Sequence, residues 1–351
     1  MKICIFGAGA IGGYLAAKLA LAGNEVCAIA RGAHLQAMQR DGLLLREAGA
    51  ERIVRFPVSD DPAEFGPQDV VICALKAHQA AASAASMLPL LRRDTPIVTA
   101  MNGIPWWYFY KAGGAFDGSL LPTVDPGARQ WMLLGPERAI GCVVDPACEV
   151  VAPGIIEHHE LTRFTLGEPD GSNSARVTAI AEALVQAGLE APVRAAIRWN
   201  IWLKLWGNVC FSPISLLTGA TLDRMASEPG LRALCVAMMQ EARAVAEAHG
   251  IAIPAEMIER RMAAAGAIIG HKMSMLQDLE RGRSLEIDAL VRVVPELGRL
   301  VGVATPTIDT LLTLVGERGH QAGLYEMPAT PPIRPAASNA FTAGRKPALP
   351  S

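Results

Sequence analysis

The chain is poor in aromatic residues, 5% of 351, and carries almost no net charge, −2 at neutral pH. A scaffold for nucleic acid would show a strong basic excess, so that class is not expected. It lacks C-x-x-C, although seven cysteines are present: Cys4, Cys27, Cys73, Cys142, Cys148, Cys210 and Cys235. Most lie in apolar runs and read as small core residues in a reducing compartment, not as a disulfide frame or a zinc site. His158 and His159 have no partners at metal-ligand spacing and receive no function; no metal is expected. There is no run of about eighteen apolar residues to span a bilayer. Met1 opens directly into a strand, so no signal peptide and no membrane partner are expected, and the cytoplasm is the default location. What is present is an ordinary enzyme composition, 51% apolar, with length for two domains and a core in each.

The first thirty-two residues organise the rest. Lys2-Ile3-Cys4-Ile5-Phe6 is a short apolar strand, followed at once by Gly7-Ala8-Gly9-Ala10-Ile11-Gly12. Tyr14 to Ala22 is a helix ended by Gly23-Asn24, and Glu25 to Ala30 is a second strand. In that context G-x-G-x-x-G is a dinucleotide-binding fingerprint. Gly7 permits the turn, Gly9 lets the backbone approach a pyrophosphate, and Gly12 lets the helix lie close to the strand. Free N–H groups at the helix start, around Ala10 and Ile11, face the phosphates. The second strand ends Ala30-Arg31-Gly32, without the acid that would hold a ribose 2′-hydroxyl. Arg31 can instead pair with a 2′-phosphate, so the expected cofactor is NADP(H).

Further on, a helix is expected at His34 to Arg40 and strands at Gly42 to Arg46 and Arg52 to Pro57. Two buried strands, Asp69 to Leu75 and Ile97 to Ala100, flank an Ala-rich helix from Ala80 to Leu91. Lys76 and Gln79 follow the first strand and Asn102 the second, at the carboxyl ends where doubly wound sheets bind ligands. Trp106 to Tyr110 concentrates five aromatics. They read equally as the wall of an apolar pocket or nicotinamide slot, or as a flap or dimer contact. Strands at Ile140–Val144, Glu149–Ala152, Ile155–His158 and Arg163–Leu166 are expected to extend the sheet antiparallel, with a last strand at Gly188–Val193. The fold class is thus an α/β N-terminal Rossmann-like domain, residues 1–194, plus an all-α C-terminal domain, residues 195–326. Residues 327–351, rich in Pro and Ala without periodicity, read as a disordered tail.

The helical half opens with Arg198 to Asn208. Trp199, Trp202 and Trp206 share one face and are expected to be core, while Asn200, Lys204 and Asn208 share the opposite face, either solvated or lining a cleft. Ser212-Pro213 is expected to interrupt the helix. Later, Ser274 and Asp278 lie one turn apart, Gly282 stops their helix, and Ser284 reads as the next N-cap. Glu286 and Asp288 either complement that next helix's dipole or point at a substrate.

Taken together, these residues resemble the ketopantoate reductase family over nearly the whole chain. Gly7 to Gly12 matches its opening, Arg31 its 2′-phosphate contact, Lys76 and Gln79 its K-x-x-Q, and Asn102-Gly103 its N-G. Lys204 and Asn208 match the catalytic Lys and substrate Asn of K-x-x-x-N. Ser274, Asp278 and Glu286 match S-M-x-x-D and E-I-D. The resemblance implies NADPH-dependent reduction of 2-dehydropantoate to (R)-pantoate, on the route to pantothenate and coenzyme A. Lys204 would be the acid, and Asn208, Ser274, Glu286 and Asn102 would contact substrate. The family's second Asn is Ser212 here, which keeps one hydroxyl and reaches less far. That leaves open another 2-oxo acid as substrate, or a catalytically silent NADP(H)-binding protein, and a homodimer remains compatible with the helical half.

Overall fold

The computed structural model describes residues 1–328; the expected tail beyond that point, residues 329–351, lies outside the described residues. The first half runs β1 (Lys2–Phe6), α1 (Ala10–Leu21), β2 (Glu25–Ile29), α2 (Gly32–Asp41), β3 (Leu43–Glu47), β4 (Ala50–Val54), β5 (Val58–Ser59), β6 (Val70–Cys73), α3 (Ala77–Ser83) and β7 (Ile97–Ala100). It continues with α4 (Arg129–Leu134), β8 (Ala139–Val144), β9 (Ala147–Ala152), β10 (Ile155–Glu160), β11 (Phe164–Gly167) and α5 (Ala175–Gln186). From Ile197 onward every described element is helical: α6 (Ile197–Thr218), α7 (Leu222–Ser227), α8 (Pro229–Ala248), α9 (Met257–Gly266), α10 (Ser274–Glu280), a π turn (Asp288–Arg292), α11 (Val293–Val301) and α12 (Pro306–Gln321).

The main sheet has the order β11-β8-β7-β6-β1-β2-β5. β5 through β8 are parallel, and only β11 runs antiparallel, against β8. The chain leaves β1 first to one side and later to the other, which makes the carboxyl end of β1 the switch point of a doubly wound sheet. No helix among the described residues is long and apolar enough to cross a membrane.

Three expectations about strands and one about a helix are corrected. β8 extends the main sheet parallel to β7, not antiparallel. β9 and β10 do not extend the main sheet; with β3 and β4 they form a second sheet, β4-β3-β10-β9. β10 pairs parallel with β3, Ile155 opposite Leu44 and Ile156 opposite Leu45. This sheet covers α1, and the contact is close: a Cβ on Gly13 would stand 2.9 Å from Ile156 Cγ1. Gly188 to Val193 makes only isolated bridges, Glu190 to Arg163 and Val193 to Leu166. Pro192 has no N–H with which to continue a ladder. The Ala-rich helix starts earlier than expected, at Ala77, and tightens into a 3-10 segment (Ala84–Leu90) containing Pro89.

In the helical half, Ser212-Pro213 does not interrupt α6, which runs unbroken to Thr218. A helical proline costs about 3 kcal/mol. Around it Val209, Phe211, Ile214 and Leu216 are all buried, each worth roughly 1.5–3 kcal/mol, so packing outweighs the lost hydrogen bond. Trp202 and Trp206 are fully buried, as their face predicts, whereas Trp199 is only partly so and donates from Nε1 to Ala252 O at 3.0 Å.

The aromatic run is neither pocket wall nor surface flap: Trp106, Trp107, Tyr108 and Phe109 are core. Trp107 Nε1 donates to Thr99 Oγ1 at 3.1 Å in β7, and Trp202 Nε1 donates to the Tyr108 hydroxyl at 2.7 Å. Arg198, at the start of α6, donates to the carbonyls of Tyr108 and Tyr110 and lies over the Trp107 ring. These aromatics fasten α6 to the sheet, and so fix where its polar face points.

Candidate active site

Because β1, β2, β6, β7 and β8 are parallel, the residues that follow them lie along one carboxyl edge. The glycine turn follows β1, Arg31 follows β2, Lys76 follows β6, Asn102 follows β7 and Asp145 follows β8.

The glycine turn has the geometry its spacing predicts. Gly7 has φ +102°, closed to side chains, and a Cβ there would meet Leu75. A Cβ on Gly12 would stand 2.0 Å from Gly7 O, so strand and helix touch through that glycine. At Gly9 no heavy atom lies within 4 Å of the Cβ position. Behind it α1 begins at Ala10 and Ile11 with no side-chain cap and no acid in its first turn. His34 braces the turn from α2. Its Nδ1 accepts from Gly154 N at 2.9 Å, so its Nε2 carries the hydrogen and donates to Ala8 O at 2.8 Å. Burial holds its pKa below the ordinary histidine value. Arg31 is exposed and its guanidinium has no partner among the described residues. An open approach to a helix N-terminus, with a free cation beside it, fits the diphosphate and outer phosphate of a dinucleotide.

The helical half closes over this edge. Lys76 Nζ donates to Asp278 Oδ2 and to Ser284 O, both at 2.7 Å, and not to the glycine turn. Ala77 N donates to Glu286 Oε1 at 3.1 Å. Glu286 therefore sits at the start of α3, outside its own helix, and burial raises its pKa. Ser284 is not an N-cap: its hydroxyl meets His78 Nε2 at 3.0 Å. Asp288 pairs with Arg292 at 2.8 Å inside the π turn. That turn presses on the end of β7, where a Cβ on Gly103 (φ +92°) would stand 2.4 Å from Ala289 O. Next to it, Asn102 Oδ1 is buried without a hydrogen-bond partner among the described residues. Gln79 and Ser274 are exposed.

The polar face of α6 is not simply solvated, and its Lys204 reaches the carboxyl end of β8. Asn200, Lys204 and Asn208 are all half-buried. Lys204 Nζ lies 3.7 Å from Asp145 Oδ1, an ion pair just beyond hydrogen-bond length. Burial lowers the Lys204 pKa, the Asp145 carboxylate opposes that, and the Arg261 guanidinium adds to it. Ser212, further along α6, is fully buried and its hydroxyl has no partner among the described residues. Asp145 and Arg261 were not anticipated from sequence. Asp145 had a signal, since it follows a strand of the parallel sheet as Lys76 and Asn102 do. Arg261, on an amphipathic helix, had none.

His158 and His159 lie on β10, away from this edge. His158 stacks on Tyr14 with centroids 4.5 Å apart and faces Glu47 at 3.5 Å, while His159 is the more exposed.

Comparison with known proteins gives a consistent result. The family model described as ketopantoate reductase PanE/ApbA matches residues 3–171, and its C-terminal counterpart matches residues 196–319. The 2-dehydropantoate 2-reductase of Mesorhizobium japonicum is 53% identical over 326 residues, covering 93% of this chain and 100% of that protein. A solved structure from Ralstonia solanacearum, assigned as a ketopantoate reductase, is 46% identical with a TM-score of 0.87, covering 92% of this chain and 99% of that one. D-mandelate dehydrogenase, solved with NADH and anilino(oxo)acetate, shares the fold at 22% identity and TM-score 0.77, covering 92% of this chain and 100% of that one. An α/β sheet domain with a glycine turn, closed by a helical domain that presents a half-buried lysine to its edge, and matched along its length by these relatives, belongs to the ketopantoate reductase PanE/ApbA family of oxidoreductases.

Proposed function

We propose that the protein reduces 2-dehydropantoate to (R)-pantoate with NADPH, in pantothenate and coenzyme A biosynthesis. The observation that carries this reading is Lys204: a half-buried ammonium on α6, facing the carboxyl edge of the sheet beside Asp145. Gly7, Gly9, Ala10, Ile11 and Gly12 would hold the diphosphate, Arg31 the 2′-phosphate, and Gln79 and Asn102 the far end of the cofactor, with residues 1–194 as its domain. Lys76 joins that set once its bond to Asp278 is shared. When bound, the nicotinamide supplies hydride. Lys204 stabilises negative charge on the substrate's ketone oxygen and donates the proton that completes the alcohol. Asp145 keeps Lys204 cationic against the pull of burial. Asn208, Ser274 and Glu286 orient the substrate from residues 195–326. The seven free thiols support a cytoplasmic setting.

A second substrate remains in play on one observation. Ser212 stands where the family often has its second Asn, and it is fully buried with a hydroxyl that has no partner among the described residues. Another 2-oxo acid, lacking the hydroxyl end of ketopantoate, would not need that amide. The deciding assay follows NADPH oxidation by purified protein with ketopantoate and a panel of other 2-oxo acids. Highest kcat/KM with ketopantoate supports the first reading; preference for another acid supports the second. Tight NADPH binding without any turnover would abandon both for a silent NADP(H)-binding protein.

A further inference from the structure

Glu286 reaches the start of α3 from residues 283–286, which belong to no helix, so its aim depends on what supports that segment. The support comes from the far end of the chain. After α12 the chain turns back, and Leu324 O accepts from Leu285 N at 3.0 Å. Leu285 and Ile287, the two neighbours of Glu286, are buried against Gly319 beside Tyr325. A Cβ on Gly319 would stand 2.8 Å from Tyr325 Cβ, 3.0 Å from Leu285 Cδ1 and 3.2 Å from Ile287 Cδ1. Tyr325 also closes the π turn that follows. Its hydroxyl donates to Asp288 Oδ1 at 2.5 Å and accepts from Arg292 Nη2 at 2.9 Å and Nε at 3.2 Å. One hydrogen given and two lone pairs filled use the phenol fully. On its other flank the π turn offers Ala289 O to Ile104 N at 3.4 Å, two residues beyond Asn102. Tyr325 lies past residue 319, where the match to the C-terminal family model ends.

We propose that Tyr325 is a positioning residue for Glu286: its hydroxyl, clamped between Asp288 and Arg292, fixes the π turn and with it the direction of the Glu286 carboxylate. The consequence for catalysis rests on the reductase reading above, in which Glu286 orients the substrate. Tyr325 itself touches neither substrate nor cofactor in that reading. It acts through two linked contacts, the Leu324–Leu285 backbone bond before Glu286 and the Tyr325–Asp288–Arg292 cluster after it. A carboxylate held from both sides loses little freedom when a substrate arrives, which favours binding. Without the hydroxyl, Asp288 and Arg292 keep only each other, and the turn that sets Glu286 is free to shift.

The test compares the full chain with Tyr325→Phe, which keeps the ring and removes only the hydroxyl. Ala77 is the first residue of α3, so its N–H has no partner inside the helix and its exchange with solvent reports the bond to Glu286. Amide exchange at Ala77, followed by NMR, should rise at least ~5-fold in Tyr325→Phe, the loss expected for one hydrogen bond. KM for ketopantoate should rise at least ~5-fold as well, with kcat within about twofold and NADPH affinity unchanged. Asp288→Asn weakens the clamp from its other side and should move both readouts the same way; it decides if Tyr325→Phe fails to fold. A tyrosine that only packs would leave Ala77 exchange at the parent value, because phenylalanine packs alike. Unchanged exchange at Ala77 therefore overturns the proposal, and so does an unchanged KM in an active enzyme. The reductase reading is judged separately. A parent that turns over no 2-oxo acid sinks that reading, and faster Ala77 exchange in Tyr325→Phe would then leave the clamp on Glu286 standing.

Discussion

Lys76 Nζ donates to Asp278 Oδ2 at 2.7 Å, across the contact between the end of β6 and α10. With Ala77 N on Glu286, this bond ties the helical half to the carboxyl edge of the main sheet, and Arg281 on Glu149 ties it to β9 of the second. The pair is more buried than most here, with side chains 27% and 16% exposed, so solvent screens it less than a surface pair. Asp278→Asn keeps the shape, removes the charge and leaves Lys76 with Ser284 O alone. The expected loss is about 1–3 kcal/mol of unfolding free energy. Urea denaturation checks it, and a double-mutant cycle with Lys76→Met should show coupling; additive effects would mean the contact is incidental.

Lys204 sets the second prediction. Removing the proposed acid by Lys204→Ala should lower kcat by at least ~100-fold while NADPH still binds. Only the ammonium form donates a proton, so activity falls as pH rises through the Lys204 pKa. Burial lowers that pKa, which brings the falling limb below the ordinary lysine range. Asp145→Asn takes away the carboxylate that opposes the shift, so its limb should move to still lower pH. A pH–kcat profile of Asp145→Asn that overlays the parent would remove Asp145 from the site.

Much of this was legible because the signals are local. Strand, glycine turn, helix and strand occupy thirty-two consecutive residues, and each glycine's task follows from its place in the turn. Lys76 and Asn102 were found by one rule, the carboxyl end of a parallel strand, and the same rule applied to Val144 would have found Asp145. The second sheet was not legible. Alternation marks β9 and β10 as strands, but nothing local says that Ile156 pairs with Leu45. The continuation of α6 through Pro213 and the burial of Trp107 are both tertiary effects, in which packing overrides a local preference. Arg261 stays hidden for the same reason: only the fold brings α9 over Gly207.

Arg31 separates the two nicotinamide dinucleotides. It is exposed and unpaired among the described residues, so Arg31→Ala should leave the fold alone. If the guanidinium holds a 2′-phosphate, the variant weakens NADPH at least ~10-fold and NADH hardly at all. Fluorescence titrations with both cofactors check this, and equal weakening would reassign Arg31 to a general surface charge.

His34 makes the glycine turn sensitive to acid. Its Nδ1 must stay unprotonated to accept from Gly154, and burial depresses its pKa in the folded state. A depressed native pKa contributes stability that is present above the unfolded value, about 6.5, and is lost as pH falls below it. His78 and His249 are depressed as well, so the three share the slope. His34→Phe should flatten the fall in Tm between about pH 7 and 5 and weaken NADPH, since Ala8 O loses its brace. An unchanged slope in that variant would leave the acid sensitivity to His78 and His249 alone.

The two inner glycines of the turn give the sharpest contrast. A methyl on Gly12 would stand 2.0 Å from Gly7 O, a backbone atom that cannot move aside without breaking the β1–α1 junction. A methyl on Gly9 meets nothing within 4 Å, and Gly9 has φ −72°, which alanine adopts freely. Gly12→Ala should therefore lower Tm and cofactor affinity together. Gly9→Ala should keep the parent Tm and lose NADPH affinity, because the methyl stands where the diphosphate approaches the backbone. Differential scanning calorimetry beside a cofactor titration separates the two cases. If Gly9→Ala bound NADPH as tightly as the parent, the open space over Gly9 would not be the diphosphate site, and the turn would be a packing device alone.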